Sequence, residues 1–139
     1  MKTGTNLFAD VVIVDDDEDD RFLMDYAIDQ LPLNLNVVTV SDARDVLTYL
    51  QKCQRPPSLL ITDLNMPCLN GFELLNLLKQ STHYRDIPVV VLTTSQAQED
   101  RERCYRAGAN AFIVKPGDFS EVTKLLHSCI QIWLGSSRS

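Results

Sequence analysis

The stretch SLLITDLNMP, residues 58–67, sets a short apolar run directly before one carboxylate, Asp63, and a proline closes the turn. An apolar run of this length without polar alternation is typical of a strand covered on both faces, which indicates a parallel sheet. Aspartate after a strand most often serves only the turn. A functional role for Asp63 therefore requires further residues that meet it at the same place.

Four other short, mainly apolar runs along the chain also predict strands. They cover residues 11–14, 35–40, 89–92 and 111–114. Between the runs, apolar residues recur at helical spacing and predict helices. The first predicted helix covers residues 21–31, the second begins after an N-cap at Ser41 or Asp42, and the third follows Gly71. The fourth covers residues 96–107, with Gly108 beyond its end, and the fifth carries apolar positions from 122 to 133. Alternating strands and helices predict an α/β fold with a doubly wound parallel sheet.

Length and composition are those of one globular domain. The 139 residues are 45% apolar and 23% charged, without a repeat or linker, which predicts a single domain over residues 1–139 with its core at about residues 8–134. The net charge of −6 and the scattered basic residues argue against nucleic acid as a partner. No apolar segment is long enough for a membrane span or a leader, so we expect a cytoplasmic protein with reduced cysteines.

Polar residues end four of the five predicted strands. Strand one ends at Asp15 and Asp16, strand three at Asp63, strand four at Thr93 and strand five at Lys115. Ligands of open α/β sheets bind at the carboxyl ends of the strands. The sequence therefore predicts that these side chains line one shallow cleft.

Charge balance indicates the chemistry of this cleft. Three carboxylates without a counter-charge would repel one another, whereas Mg²⁺ and the Lys115 ammonium together would neutralise them. A site built from oxygen ligands suits Mg²⁺ better than zinc or copper. In such a site Asp63 can accept a phosphoryl group as an acyl phosphate, and the Thr93 hydroxyl can donate a hydrogen bond to it.

Each of these residues also has an ordinary structural explanation. The acids at 15–20 can favour a helix N-terminus through its dipole, Thr93 can simply end a strand, and Lys115 can be a solvated surface lysine. Taken alone, each explanation is at least as good as the functional one. Their coincidence at four strand ends favours a functional site.

Four segments carry a resemblance to a known family. They are VVIVDDDEDDR at 11–21, LLITDLNMPCLNGFELL at 59–75, PVVVLTTS at 88–95 and AGANAFIVKP at 107–116. In this order and at these separations, the chain resembles the receiver domain of two-component response regulators over nearly its full length. The resemblance implies the flavodoxin-like, CheY-like architecture: a five-stranded parallel sheet of order 2-1-3-4-5 flanked by five helices. The IPVVVLTTS and IQIWL segments are similar to single-domain regulators that serve phytochrome-type and other hybrid kinases.

The resemblance also implies roles for the acidic residues. Asp63 matches the phosphoacceptor, and Asp16 matches a direct ligand of Mg²⁺. Asp15 matches a ligand that acts largely through water, and the backbone carbonyl of Asn65 would complete the protein ligands. Mn²⁺ is the expected substitute for Mg²⁺.

The switch residues follow from the same resemblance. Thr93 matches a hydroxyl that moves toward the phosphoryl group, and Lys115 matches the lysine that pairs with it. Phe112 occupies the place of an aromatic residue that rotates between inward and outward positions, here without a phenolic hydroxyl. The Lys115–Pro116 bond is similar to one that is cis in the family, a conformation that only proline makes cheap.

The residues that follow Thr93 should affect the access of a phosphodonor to the site and the lifetime of the acyl phosphate. Thr94 is small and should leave the site open to a phosphodonor, while Ser95 and Asn65 flank the place where water would attack the acyl phosphate. Gly117 and Asp118 replace the more usual apolar residue after the lysine and proline.

The implied function is that of a stand-alone response regulator. We expect phosphoryl transfer from a sensor histidine kinase or a histidine phosphotransfer domain, with a downstream protein or a second copy as the target. We expect no output domain after Ser139, so the surface of helix 4, strand 5 and helix 5 should carry the signal. Helix 4 has few apolar positions, which suits a movable element. Such a protein catalyses only its own modification and is not a conventional enzyme.

Three alternatives remain. A phosphohydrolase of the haloacid dehalogenase type also uses a strand-end Asp, and Asp15 and Asp17 have its spacing, but Asp19 departs from its pattern and no cap domain is present. A flavin-binding module shares the architecture, but the acids at 15–20 would repel a flavin phosphate. A receiver-like scaffold without phosphorylation is disfavoured because every phosphorylation residue is present.

Overall fold

A computed structural model describes residues 9–135 of the chain. Five parallel strands form one sheet in the order β2-β1-β3-β4-β5, which confirms the predicted doubly wound α/β fold. The strands are β1 (Val11–Val14), β2 (Val37–Val40), β3 (Leu59–Thr62), β4 (Val89–Thr93) and β5 (Ala111–Val114). The helices are α1 (Glu18–Asp29), α2 (Ala43–Lys52), α3 (Gly71–Gln80), α4 (Gln98–Arg106) and α5 (Phe119–Ile130), and one π-helical turn, Gln131–Gly135, continues α5.

Two apolar cores cover the two faces of the sheet. Alternate residues of each strand point to opposite faces, so Val12 and Val14 pack toward α2, α3 and α4, while Val11 and Ile13 pack toward α1 and α5. The three central strands are buried along their whole length. This burial on both faces explains why their sequences show no polar alternation.

Helix starts differ from the apolar pattern by a few residues. The sequence predicts helix 1 from residue 21, but α1 begins at Glu18 because the Asp17 side chain accepts the backbone N–H of Asp20 at 3.0 Å. In the same way α5 begins at Phe119, directly after the N-cap Asp118. N-caps and first turns are polar, so apolar periodicity marks only the buried part of a helix.

The caps also explain how α3 and α4 differ. Asn70 and Glu73 form a reciprocal capping box that fixes the start of α3. Within the described chain, the N-cap of α4, Ala97, makes no side-chain hydrogen bond, and Cys104 is the one buried residue of the helix. Gly108 follows with φ of +106° and ends α4 as predicted. α4 is therefore weakly anchored, as its sequence indicates.

Several expectations concern cysteines and chain ends. All four cysteines lie within residues 9–135 and are free thiols, and Cys104 and Cys129 are buried. None of the helices in that range is long and apolar enough to cross a bilayer. The sequence also predicts a frayed tail from Gly135, and residues 136–139 of that tail lie outside the described residues, as do residues 1–8.

Candidate functional site

The pairing of β1 with β3 brings the predicted acids together. Val14 is aligned with Thr62 at the carboxyl ends of these strands, so the next residues, Asp15 and Asp63, emerge side by side. The backbone N–H of Asp63 extends the ladder by donating to the Val14 carbonyl at 3.1 Å. Asp15, Asp16 and Asp63 each place a carboxylate oxygen within 4.8 Å of the others. Asp15 is buried, Asp63 is half-buried and Asp16 is exposed.

This cluster fits a hard divalent cation. Its three donors are carboxylate oxygens, and their charges repel one another unless a cation neutralises them. Exposed Asp16 leaves one side of the cluster open to water, and Mg²⁺ usually keeps several waters. Asn65 is exposed two positions after Asp63, in the loop that leads to α3.

Lys115 follows β5, and its side chain pairs with acids at this edge of the sheet. Its backbone N–H donates to the Thr93 carbonyl at 2.7 Å, which fixes the lysine beside the end of β4. Its ammonium nitrogen lies 2.7 Å from Asp15 Oδ2, 2.8 Å from Asp20 Oδ2 and 3.3 Å from Asp63 Oδ2. The other oxygen of Asp63, Oδ1, accepts the backbone N–H of Leu64 at 2.7 Å.

Asp20 is a member of this site that the sequence reasoning missed. The sequence pattern marks it only as one of several acids at a helix start, whereas its side chain makes an ion pair with Lys115 across 95 positions of sequence. The first turn of α1 follows β1 after a short loop, which brings Asp20 back over the strand ends. The signal that could have identified Asp20 is its position as an acid in the first helical turn after strand one.

The ionisation of Asp15 and Lys115 reflects this arrangement. Burial raises the pKa of Asp15 above its ordinary value, although hydrogen bonds from Lys115 and from the Asp17 backbone oppose the shift. Burial acts to lower the pKa of Lys115, but hydrogen bonds to Asp15 and Asp20 and the nearby negative charges outweigh it and hold that pKa above its usual value. Lys115 is therefore a fixed positive charge at neutral pH.

Thr93 connects the end of β4 with α4. Its side chain is fully buried, and its Oγ1 accepts the backbone N–H of Ser95 at 3.2 Å. The Ser95 hydroxyl in turn donates to Asp100 Oδ2 at 2.6 Å, on the first turn of α4. Thr94, between them, is exposed. A movement of the Thr93 hydroxyl would thus be passed to α4 through two hydrogen bonds.

Phe112 lies in the inward position and contacts α4. It is 5% exposed and belongs to the core on the α4 face of the sheet. Its backbone N–H donates to the Tyr105 hydroxyl at 3.1 Å, and the Arg101 guanidinium carbon lies 5.7 Å from the ring centroids of both aromatic residues. The sequence reasoning did not identify Tyr105 or Arg101 as neighbours of this position.

The family resemblance leaves open whether the Lys115–Pro116 bond is cis or trans. The described residues contain no cis peptide bond. The trans form is the more stable one for bonds before proline by about 0.5–1 kcal/mol. Lys115 keeps its backbone hydrogen bond to Thr93 with this geometry.

A family model shows to which family the chain belongs. The model of the response regulator receiver domain matches residues 11–127, which contain all five strands and the acidic cluster. The chain is a response regulator receiver domain. This receiver domain is 30% identical over 133 residues to the probable methanogenesis regulatory protein FilR2 of Methanothrix harundinacea, with 93% of this chain and 86% of the relative covered. It is 26% identical to response regulator Rcp1 of Synechocystis, with 89% and 88% covered.

Solved structures of receiver domains agree with the fold. The phosphorylated cyanobacterial phytochrome response regulator RcpA superposes with a TM-score of 0.86 at 28% identity, over 93% of this chain and 96% of that one. The Mn²⁺-bound form of Rcp1 superposes with a TM-score of 0.81 at 26% identity, over 89% and 93% of the two chains. These similarities confirm the predicted CheY-like class of the receiver domain.

Proposed function

We propose that this receiver domain accepts a phosphoryl group on Asp63 from a phosphohistidine, in a Mg²⁺-dependent reaction. The observation that carries the proposal is the meeting of Asp15, Asp16, Asp63 and Lys115 at the strand ends. The donor is a sensor histidine kinase or a histidine phosphotransfer domain, in keeping with the place of receiver domains in two-component systems. Neither nucleic acid nor a membrane has a role, and the protein acts in the cytoplasm.

The acidic cluster is the proposed metal site. Asp15, Asp16, Asp63 and the backbone carbonyl of Asn65 would hold Mg²⁺, with Mn²⁺ as a substitute. When bound, the metal supplies positive charge for the phosphoryl oxygens and for the carboxylates. The relative Rcp1, which has the same fold, has a Mn²⁺-bound form, and this supports a divalent cation.

The side chains of this chain perform the remaining tasks. A carboxylate oxygen of Asp63 forms a bond to phosphorus while the bond from phosphorus to the donor imidazole breaks, and the imidazole leaves with that electron pair. Lys115 places an ammonium charge beside Asp63, where negative charge accumulates. Exposed Thr94 leaves the approach open, and Ser95 and Asn65 tune the later attack of water on the acyl phosphate. The protein thus catalyses only its own phosphorylation and dephosphorylation.

The proposed output is a change at the surface of α4, β5 and α5. Phosphorylation of Asp63 draws the Thr93 hydroxyl toward the phosphoryl group, which breaks its bond to Ser95. The link from Ser95 to Asp100 then carries the change to α4, whose weak anchoring permits movement, and Phe112 repacks beside it. A downstream protein or a second copy reads this surface.

A phosphohydrolase of the haloacid dehalogenase type receives less support. Its pattern requires Asp15 and Asp17 at one site, but Asp17 is the N-cap of α1 and accepts the backbone N–H of Asp20 instead. Among the described residues, the acids placed to share a metal ion are Asp15, Asp16 and Asp63. A scaffold that is never phosphorylated is the other alternative, and it predicts an unmodified protein in the following experiment.

The test is phosphorylation of the full chain by acetyl phosphate or a phosphoramidate. With MgCl₂, we expect intact mass spectrometry to detect one added phosphoryl group that is stable in acid and labile in base, as an acyl phosphate is. Chelation of the metal with EDTA should prevent the modification. An unmodified protein at saturating donor and metal would overturn the proposal. Steady turnover of small phosphate esters would instead favour the hydrolase.

A further inference from the structure

The Lys115 ammonium has a carboxylate partner for each of its three N–H donors. An ammonium group has three N–H donors, and the Lys115 nitrogen has three carboxylate partners, at 2.7 Å for Asp15, 2.8 Å for Asp20 and 3.3 Å for Asp63. Within the described chain, Lys115 therefore has no donor left for a phosphoryl oxygen. Contact with a phosphoryl group on Asp63 requires one of these three bonds to be given up.

The three bonds differ in what their loss would cost. The Asp15 side chain is 2% exposed, so its separation from Lys115 would leave a buried charge without a partner. Asp63 is the residue that receives the phosphoryl group and must keep its place beside the ammonium. The Asp20 side chain is 39% exposed, so water can solvate its carboxylate once it is released. The bond to Asp20 is thus the least costly to break.

We infer that Asp20 is a positioning residue that restrains Lys115 before phosphorylation and releases it when Asp63 is phosphorylated. The inference rests on the proposed function of Asp63. It adds a residue of α1 to a site otherwise built from strand ends. Asp20 and Lys115 both line a cavity of 220 Å³ between α1 and the start of α5, so either side chain has space to change its rotamer.

Two physical effects make Asp20 an opposing group in phosphorylation. Its carboxylate occupies an ammonium hydrogen that a phosphoryl oxygen would use, and its negative charge repels an anionic phosphodonor. Asp20→Asn removes the charge and weakens the bond while keeping the size of the side chain. We expect this variant to be phosphorylated by acetyl phosphate about fivefold faster than the wild type, the size of effect that one partly exposed ion pair supports.

Asp19→Asn is the matched control. Asp19 is the neighbouring acid in the first turn of α1 and is exposed, so its substitution removes the same charge from the same turn. The described ion pairs of Lys115 are with Asp15, Asp20 and Asp63, and not with Asp19. We expect Asp19→Asn to change the phosphorylation rate by less than about twofold, because an exposed charge is well screened. Asp20→Glu keeps a carboxylate for Lys115 and should remain close to the wild type.

A second readout does not depend on phosphorylation. In the full chain with ¹⁵N-labelled lysine, the Lys115 ammonium signal should shift in Asp20→Asn and remain in place in Asp19→Asn, with no phosphodonor present. If Asp20 had a purely structural role, Asp20→Asn would lower the melting temperature without accelerating phosphorylation.

The outcomes separate this inference from the proposed function. Faster phosphorylation of Asp20→Asn together with a shifted Lys115 signal supports the inference. Equal acceleration in Asp19→Asn, slower phosphorylation in Asp20→Asn, or an unmoved Lys115 signal would overturn it. A wild-type protein that acetyl phosphate does not modify would overturn both the function and the inference, whereas normal wild-type phosphorylation with an unmoved Lys115 signal would overturn the inference alone.

Discussion

Gly71, the first residue of α3, packs directly against the backbone of Asp63. A Cβ atom at position 71 would collide with the Asp63 carbonyl oxygen and would lie 2.8 Å from Leu64 Cα, closer than real Cβ contacts come. The backbone N–H of Gly71 also donates to the Leu64 carbonyl at 2.9 Å. The absence of a side chain at position 71 therefore determines how the loop after β3 presents Asp63.

Gly71→Ala should damage both stability and the site. Because the colliding atoms belong to the backbone, the loop itself must shift, and we expect a loss of about 2–3 kcal/mol in the free energy of unfolding. Urea denaturation measures this loss, and phosphorylation of Asp63 should fall with it. Gly117→Ala is the control, since none of the described atoms lies within 4 Å of a Cβ there. Equal effects of the two substitutions would contradict the packing argument.

Thr93→Ala should separate phosphorylation from its output. The substitution leaves the half-buried backbone N–H of Ser95 without its acceptor, which should cost about 1 kcal/mol of stability. Asp63 should still be modified, but the amide NMR signals of α4 should lose most of their response to phosphorylation. Thr93→Ser keeps the hydroxyl and should keep the response. A full α4 response in Thr93→Ala would rule out this connection.

Lys115→Met should make stability depend on metal. Buried Asp15 loses its counter-charge in this variant, so we expect a loss of about 3 kcal/mol in metal-free buffer. MgCl₂ should recover more stability in Lys115→Met than in the wild type, because a divalent cation replaces the missing charge. Lys124→Met is the control: Lys124 is 73% exposed and pairs with Glu121 at 3.5 Å, so its loss should cost less than about 0.5 kcal/mol. Metal-independent stability of Lys115→Met would contradict the account.

Cys129 should make the protein less stable in alkali. Burial raises the pKa of this thiol from 9.0 to about 11. Below pH 9 the thiol is protonated in both states and its contribution is fully present. Between pH 9 and 11 the unfolded chain loses the proton while the folded protein keeps it, so the free energy of unfolding falls, by at most about 2–3 kcal/mol. In urea titrations Cys129→Ala should lose this part of the alkaline slope, and an identical slope in both proteins would exclude it.

The sequence could predict the sheet because its central strands are buried on both faces. Burial of that kind demands continuous apolar runs, and such runs are visible without a structure. The acids of the site could be predicted for a related reason: the ends of parallel strands meet at one edge, so Asp15, Asp63, Thr93 and Lys115 had to be neighbours.

Other contacts could not be predicted because they depend on where a helix begins and which way its side chains point. Asp20 reaches Lys115 since the Asp17 cap starts α1 three residues earlier than its apolar pattern indicates. Tyr105 meets the backbone of Phe112 through its hydroxyl, a contact between α4 and an edge strand that no periodicity records. The sequence does not decide between cis and trans before Pro116, and the described residues contain no cis peptide bond.

The central claim is that Asp63 itself is the residue that receives the phosphoryl group. The most direct measurement is to phosphorylate the full chain with acetyl phosphate and MgCl₂, reduce it with borohydride, and sequence the peptides by mass spectrometry, because reduction turns an aspartyl phosphate into homoserine. We predict conversion at position 63, and none in Asp63→Asn treated in the same way. Conversion at Asp16 or at any other carboxylate, or persistent modification of Asp63→Asn, would contradict the claim.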